Sequence, residues 1–197
     1  MTHIAIDYDY WPAMQSGTSG KVAHQDIVER SLLEFSTLQI GSHFGPLQLV
    51  VTQHNRLAGL GLGLGKSPTK RETLDQFLGA FQPVRACDAA PFWQQLINIF
   101  LEQEAVCVPL TLIGTPFQHQ VWRALMSVGA GETCSYRQLG QQVETSARAI
   151  GRSVGANPVS LIVPCHRVIS AKGALHGYRW GVALKRRILA AEGVDLD

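Results

Sequence analysis

Apolar positions in the first part of the chain come in short bursts. Gly45-Pro46-Leu47-Gln48-Leu49-Val50-Val51-Thr52 predicts a strand, His54-Asn55-Arg56 a turn, and Leu57 to Leu64 the returning strand of a hairpin. The strict Leu/Gly alternation of that second strand suits one buried face. Ile27 to Leu38, with Ile27, Leu32, Leu33 and Phe35, predicts a helix, and so do Thr69 to Phe81 and Pro91 to Glu104. In the last of these, Phe92, Leu96, Ile97, Phe100 and Leu101 recur at helical spacing and define a core face. Ala105 to Ile113 reads as a short link to Gly114-Thr115-Pro116, the expected domain boundary.

From there the pattern turns helical. Thr115 as N-cap and Pro116 in the first turn open a helix striped by Phe117, Val121, Trp122, Leu125 and Met126, with Trp122 in the core. Gly129-Ala130-Gly131 ends it. Ser135 begins a second helix, with Tyr136, Leu139, Gly140 and Val143 inward. After Glu144-Thr145, a third runs from Ser146 to about Gly155. Two short helices joined by a tight turn form a helix-turn-helix candidate. The third is built largely of small residues, with Arg148 and Arg152 at i and i+4. Small side chains allow close backbone approach to another surface and the arginines add cationic reach, although tight packing within the domain would explain the small residues equally well. Asn157-Pro158 then turns the chain into Leu161-Ile162-Val163, a buried-strand pattern. Lys172-Gly173 marks a turn, and His176-Gly177-Tyr178-Arg179-Trp180-Gly181 is a glycine-bracketed aromatic loop. Val182 to Glu192, carrying Lys185, Arg186 and Arg187, predicts a last helix before Gly193.

With 197 residues, 46% hydrophobic and 16% charged, the chain describes a globular protein with a filled core. No apolar stretch approaches a membrane span, and the N-terminus lacks the basic-then-apolar order of a secretory signal. Cys87, Cys107, Cys134 and Cys165 are widely spaced with no CxxC pair, which argues against a zinc site or a disulfide scaffold and for a reducing, cytoplasmic setting. Residues 1–113 hold seven Lys and Arg against ten Asp and Glu, whereas residues 114–197 hold ten against five. That basic half suits a polyanion such as DNA. Gly59 to Ser67 misses the phosphate-loop spacing by one residue, because Leu60 stands where glycine is needed.

Pro164-Cys165-His166-Arg167 carries the most chemistry. Pro164 restricts both its own backbone and that of Val163, and so presents Cys165 in a defined pose. Sulfur is a strong nucleophile, here followed by a proton acceptor and a cation. The commoner fate of a lone thiol is structural burial, and these four residues alone do not decide between the two.

The segments GTPFQHQVWRAL, GETCSY, ARAIG, NPVSLIVPCHRVI and GYRWGVALKRRILAAE, in this order, resemble the catalytic domain of the O6-alkylguanine-DNA alkyltransferases, or methylated-DNA–protein-cysteine methyltransferases. Together they span the basic half from residue 114 to residue 192. GYRWG and FLEQEAVCVPLTLIGTPF are most similar to the alkyltransferase half of Ada-type adaptive-response proteins. Residues 37–113 resemble the family's N-terminal domain more loosely. The resemblance implies an α/β (α+β) protein: an RNase H-like N-terminal domain with an antiparallel hairpin or sheet and helices, then a mostly helical C-terminal domain with a helix-turn-helix. Three segments are expected: an N-terminal extension of unknown role over 1–36, an N-terminal domain over 37–113, and a catalytic DNA-binding domain over 114–197.

The implied activity is direct reversal of DNA damage: irreversible, single-turnover transfer of the alkyl group from O6-alkylguanine to Cys165, with O4-alkylthymine as a further candidate substrate. By matching position, His166 acts on the thiol through a bridging water and is held by Glu192, and Asn157 braces the active-site backbone. His166 cannot be a direct partner in an extended chain, where adjacent side chains point opposite ways. Tyr136 contacts the flipped guanine and its phosphate, Arg148 fills the gap in the base stack, and Ser135 belongs to the same DNA-binding set. The main chain of Val163 and Cys165, with Tyr178 and Arg179 opposite, lines the guanine pocket. Base flipping is required because O6 is out of reach while the base is stacked. The expected partner is double-stranded DNA, met by the third helix in the minor groove; the protein is expected to act as a monomer, without cofactor, metal or membrane.

Two departures stand out. Between Tyr136 and Arg148 the chain is two residues shorter than many members, and its turn lacks the usual glycine. It also lacks the zinc domain that precedes the alkyltransferase half in Ada. Three rivals remain: a non-catalytic lesion binder, which Cys165 argues against; an alkylation-sensing regulator; and a cysteine hydrolase using His119 or His176 as base.

Overall fold

The computed structural model describes residues 4–11, 21–28, 33–62, 90–102, 104, 106–175 and 177–195. Six strands form one sheet: β1 (Ile4–Trp11), β2 (Lys21–Val28), β3 (Phe35–Ile40), β4 (Leu47–Thr52), β5 (Leu57–Leu62) and β6 (Val108–Gly114). Their spatial order is β2-β1-β6-β5-β4-β3, antiparallel except where β5 meets β6 at Leu57 and Leu110. The predicted hairpin is therefore present as β4 and β5. The helix expected over Ile27 to Leu38 is not: Ile27 and Val28 end β2, and Phe35 to Leu38 lie in β3. Neighbouring strands β1 and β4 supply ladder partners there, and pairing overrides a local helical spacing. Within residues 1–36, where an N-terminal extension was expected, the described strands β1 and β2 pair into this same sheet, β1 directly against β6.

The link expected over Ala105 to Ile113 is instead largely strand β6, placed centrally between β1 and β5. Arg56 ties these three strands together. Its guanidinium donates to the carbonyls of Tyr8 at 2.6 Å and Leu110 at 3.3 Å, and pairs with Asp7 at 3.3 Å and Asp9 at 2.9 Å. All six residues of β5 are buried, so the Leu/Gly alternation serves two covered faces rather than one. The helix expected over Thr69 to Phe81, and Lys66-Ser67, lie outside the described residues.

Helix α1 (Ala90–Leu101) buries Leu96, Ile97 and Phe100 as expected, but its inward stripe starts at Trp93, three residues before Leu96, so Phe92, expected in the core, is 46% exposed and Leu101 is only partly buried. Beyond β6 come α2 (Pro116–Met126), the short strand β7 (Cys134–Ser135), α3 (Tyr136–Gln142), α4 (Ala147–Gly155), a 3-10 turn at Cys165–Arg167, the short strand β8 (Val168–Ile169) and α5 (Val182–Ala191). Thr115 caps α2 in a reciprocal box with Gln118, and Ser135 does the same for α3 with Gln138. One hydrophobic core joins the sheet to these helices, from Leu49 and Leu60 through Trp93 to Trp122, Ile150, Val163 and Ile188. Two tyrosines of β1 reach across it: Tyr8 Oη meets His119 Nδ1 at 2.9 Å, and Tyr10 donates to the carbonyl of Met126 at 3.0 Å. Buried Trp122 donates from Nε1 to the carbonyl of Ser153, which fixes α4 on α2.

Candidate active site

Cys165 does not end a strand. Residues 160–162 form a turn in which Leu161 holds φ at +76°, and Val159 makes a single parallel bridge with Leu60 of β5. The Cys165 amide donates to the carbonyl of Val163 at 2.8 Å across Pro164, whose φ of −82° and ψ of 62° make an inverse γ-turn. Pro164 favours this geometry because its φ is fixed, so the proline signal was sound even though the strand was not. Asn157 braces the turn from beneath. Its side-chain amide donates to the Val163 carbonyl at 2.8 Å, and its oxygen accepts from the Val159 amide at 3.0 Å. From the sheet, the Leu60 amide donates to the Pro158 carbonyl at 2.9 Å and the Leu60 carbonyl accepts from Ser160 at 3.2 Å. Next to it, a Cβ on Gly59 would lie 3.0 Å from Val50 Cγ2 on the neighbouring strand, while 3.8 Å to the Pro158 oxygen is ordinary contact.

Cys165 is 8% exposed, and burial raises its thiol pKa; Asn157, Arg179, Ser160 and Lys185 act in the opposite direction. A base is therefore needed to ionise it. His166 is fully buried, with Nε2 at 2.9 Å from Glu192 Oε1. Burial lowers its pKa, against the pull of Glu192, and favours neutral imidazole. Burial also works against the Glu192 carboxylate, but His166 and Arg167 together outweigh it and bring its pKa to about 2. The permanently charged Arg167 keeps Glu192 ionised whichever form His166 takes. A carboxylate only accepts, so the histidine proton sits on Nε2 and Nδ1 is left as an acceptor. Nδ1 is buried with no hydrogen-bond partner in the protein. The arrangement is a thiol with a neighbouring base whose tautomer is fixed by an ionised acid.

Ser135 caps α3, Tyr136 is half-buried at its first position, and Arg148 is exposed in the first turn of α4. Burial raises the Tyr136 phenol, with the nearby Cys165 and Cys134 sulfurs adding to the effect. The turn between α3 and α4 places Glu144 at φ +53° in a position that favours glycine. The Thr145 amide donates back to the Gly140 carbonyl at 2.8 Å. A Cβ on Gly140 would stand 2.7 Å from the Thr145 oxygen, so that glycine admits the short turn.

Tyr178 packs its hydroxyl into a buried position without a hydrogen-bond partner, whereas Arg179 turns its guanidinium to the carbonyls of Gly155 and Asn157. The structure thus gathers Cys165, His166, Glu192, Asn157, Val163 and Tyr178 closely, and sets Ser135, Tyr136 and Arg148 on the helix-turn-helix. Three further groups support the site: Arg167, read from the sequence only as the cation after the thiol, and Lys185 and Ser160, given no role there. Arg167 donates to Glu192 through Nε at 3.0 Å and Nη2 at 2.7 Å, and to the Val128 carbonyl at 2.6 Å. Lys185, 1% exposed, donates to the Val168 carbonyl and lies 6.0 Å from the Tyr178 ring centre. Ser160 accepts from Trp180 Nε1 at 2.9 Å. Lys185 was findable, since Lys185, Ile188, Leu189 and Glu192 share one helical face.

Residues 116–194 match the family model described as "6-O-methylguanine DNA methyltransferase, DNA binding domain". The methylated-DNA–protein-cysteine methyltransferase of Salmonella typhimurium is 34% identical over 165 residues, covering 79% of this chain and 94% of that protein. The chain belongs to the methylated-DNA–protein-cysteine methyltransferase family. Over 87 residues it is 47% identical to the regulatory protein Ada of the same organism, a match covering 43% of this chain and only 25% of Ada. A crystal structure of Mycobacterium tuberculosis O6-methylguanine methyltransferase superposes with a TM-score of 0.63 at 33% identity, covering 82% of this chain and 93% of that one. A second structure from that organism, OGT in complex with DNA, matches with the same score. The α/β architecture expected of this methyltransferase family, a sheet domain followed by a mostly helical one, is the architecture observed.

Proposed function

We propose that this methyltransferase reverses O6-alkylguanine damage in DNA by taking the alkyl group onto Cys165 in a single irreversible turnover. The fixed His166–Glu192–Arg167 network beside the buried thiol carries this reading. Nδ1 of His166 accepts the thiol proton through a bridging water, and Glu192 steadies the imidazolium that forms. The thiolate attacks the alkyl carbon; the S–C bond forms as the C–O6 bond breaks. The bonding pair leaves with guanine, which takes up a proton from solvent. A thioether offers water no good leaving group, so Cys165 is not regenerated.

Helix α4 enters the minor groove, Arg148 fills the stack and Tyr136 meets the extruded base, which settles against Tyr178 and the Val163–Cys165 main chain. Residues 114–197 act as the catalytic DNA-binding domain of a protein that works as a monomer on cytoplasmic, double-stranded DNA. The test is intact-protein mass after mixing with duplex carrying one O6-methylguanine. A gain of one methyl on Cys165 supports the reading, and C165A should bind the lesion without gaining mass. Binding by the wild type without a mass change would make it a lesion-recognition protein.

A further inference from the structure

Arg179 spends its guanidinium on main-chain carbonyls. Nη1 donates to Asn157 at 3.2 Å, and Nη2 donates to Gly155. Gly155 closes α4, and the last carbonyls of a helix have no partner within it. The cation also sits at the negative end of the helix dipole. The following side chain, Trp180, donates to Ser160. Consecutive side chains of one loop are thus fastened to residues 155–160, the stretch that joins α4 to the Cys165 turn. The residue before them, Tyr178, faces the thiol side with its hydroxyl buried. At the other side of the same helix end, Trp122 holds the Ser153 carbonyl at 2.9 Å. The C-terminus of α4 is therefore gripped from α2 and from the pocket loop at once.

We infer that Arg179 is a positioning residue that couples α4 to the pocket: the end of the helix and residues 178–180 move as one, so that a helix seated on DNA sets the pocket wall beside Cys165. This rests on the reading of α4 as the helix that meets DNA. The planar, forked guanidinium is what allows one side chain to bridge two carbonyls; lysine keeps the charge but is a single point donor.

The experiment is hydrogen exchange of residues 177–181 with and without undamaged duplex, in wild type, R179K and R179M, alongside the rate of methyl transfer from saturating O6-methylguanine duplex. In the wild type, duplex should slow exchange in this loop. In both variants that protection should vanish and the maximal transfer rate should fall about tenfold or more, with duplex affinity little changed. If R179M melts early, W180F removes only the adjacent donor and should show the same loss in milder form. Protection that persists in the variants overturns the coupling, as does rescue by R179K or a loss confined to affinity. Failure of the wild type to bind duplex at all would instead bring down the reading of α4, and the coupling with it.

Discussion

Arg167 holds Glu192 in a forked pair, with Nε 3.0 Å from Oε2 and Nη2 2.7 Å from Oε1. The carboxylate that receives both bonds is also the partner of His166. One acid is thus kept ionised by a permanent cation while it fixes the tautomer of a neutral base. Removing either arginine or glutamate leaves a buried charge without its counter-ion, a change that costs about 3–5 kcal/mol in comparable sites.

Acid should therefore destabilise this protein over two pH windows. Glu192 falls from an ordinary 4.5 to about 2 on folding, so its contribution is full above pH 4.5 and is lost as pH drops towards 2. That shift corresponds to about 3 kcal/mol. His166 has a lowered pKa when folded, so the unfolded chain takes its proton first and stability begins to fall below the usual 6.5. Urea unfolding between pH 3 and 7 should show stability declining throughout, with a smaller slope below pH 4.5 in E192Q. Equal slopes in that range would refute the assignment to Glu192.

Asn157 is a small side chain with two buried obligations. In N157A the Val159 amide loses its partner, at about 1–3 kcal/mol for a group left unsatisfied, and the Val163 carbonyl keeps only the Cys165 amide. Transfer should slow more than stability predicts, because the same two bonds set the turn that carries Cys165. Rates measured well below the melting temperature, compared with wild type, decide this; an unchanged rate would make the brace purely structural.

Gly140 has no room for a methyl group. Since the obstacle is the Thr145 carbonyl, a backbone atom, G140A must push the α3–α4 turn open, at about 1–3 kcal/mol. Duplex affinity should fall together with the melting temperature, while reaction with free O6-benzylguanine stays close to wild type at low temperature. Full duplex affinity in G140A would show that the turn tolerates a different angle.

Arg148 stands exposed near the start of α4, with the thiol network elsewhere. R148A should therefore slow transfer from duplex DNA far more than transfer from free O6-benzylguanine, the comparison that isolates base extrusion. Equal losses on the two substrates would remove Arg148 from that role.

Local chemistry was legible where the chain decides its own conformation. Thr115-Pro116 and Ser135 gave true helix starts, and Leu96, Ile97 and Phe100 fell on the buried face that their spacing implied, while Phe92 turned outward and Trp93 took its place. The family resemblance pointed to Cys165, His166, Glu192 and Asn157, and in the structure Glu192 lies 2.9 Å from His166 while Asn157 bonds to the turn before Cys165. What escaped depended on distant partners. Leu161-Ile162-Val163 has the composition of a strand, yet a turn forms, with Asn157 holding the Val163 carbonyl and Leu60 holding Pro158 and Ser160 just before it. Ile27 and Phe35 join strands because β1 and β4 lie beside them. Lys185 and Arg167 are buried by partners far along the chain: the Val168 carbonyl for the lysine, and the Val128 carbonyl with Glu192 for the arginine.

The nucleophile's seat is on loan from the other half of the molecule. Leu60 belongs to the sheet, and its amide and carbonyl close the backbone accounts of Pro158 and Ser160. A chimera grafting this helical half onto a foreign sheet would have to reproduce that register without a slip, because a shift of one residue carries the Leu60 amide and carbonyl away from Pro158 and Ser160. Recombination between relatives is constrained at β5, in a strand that takes no part in the chemistry.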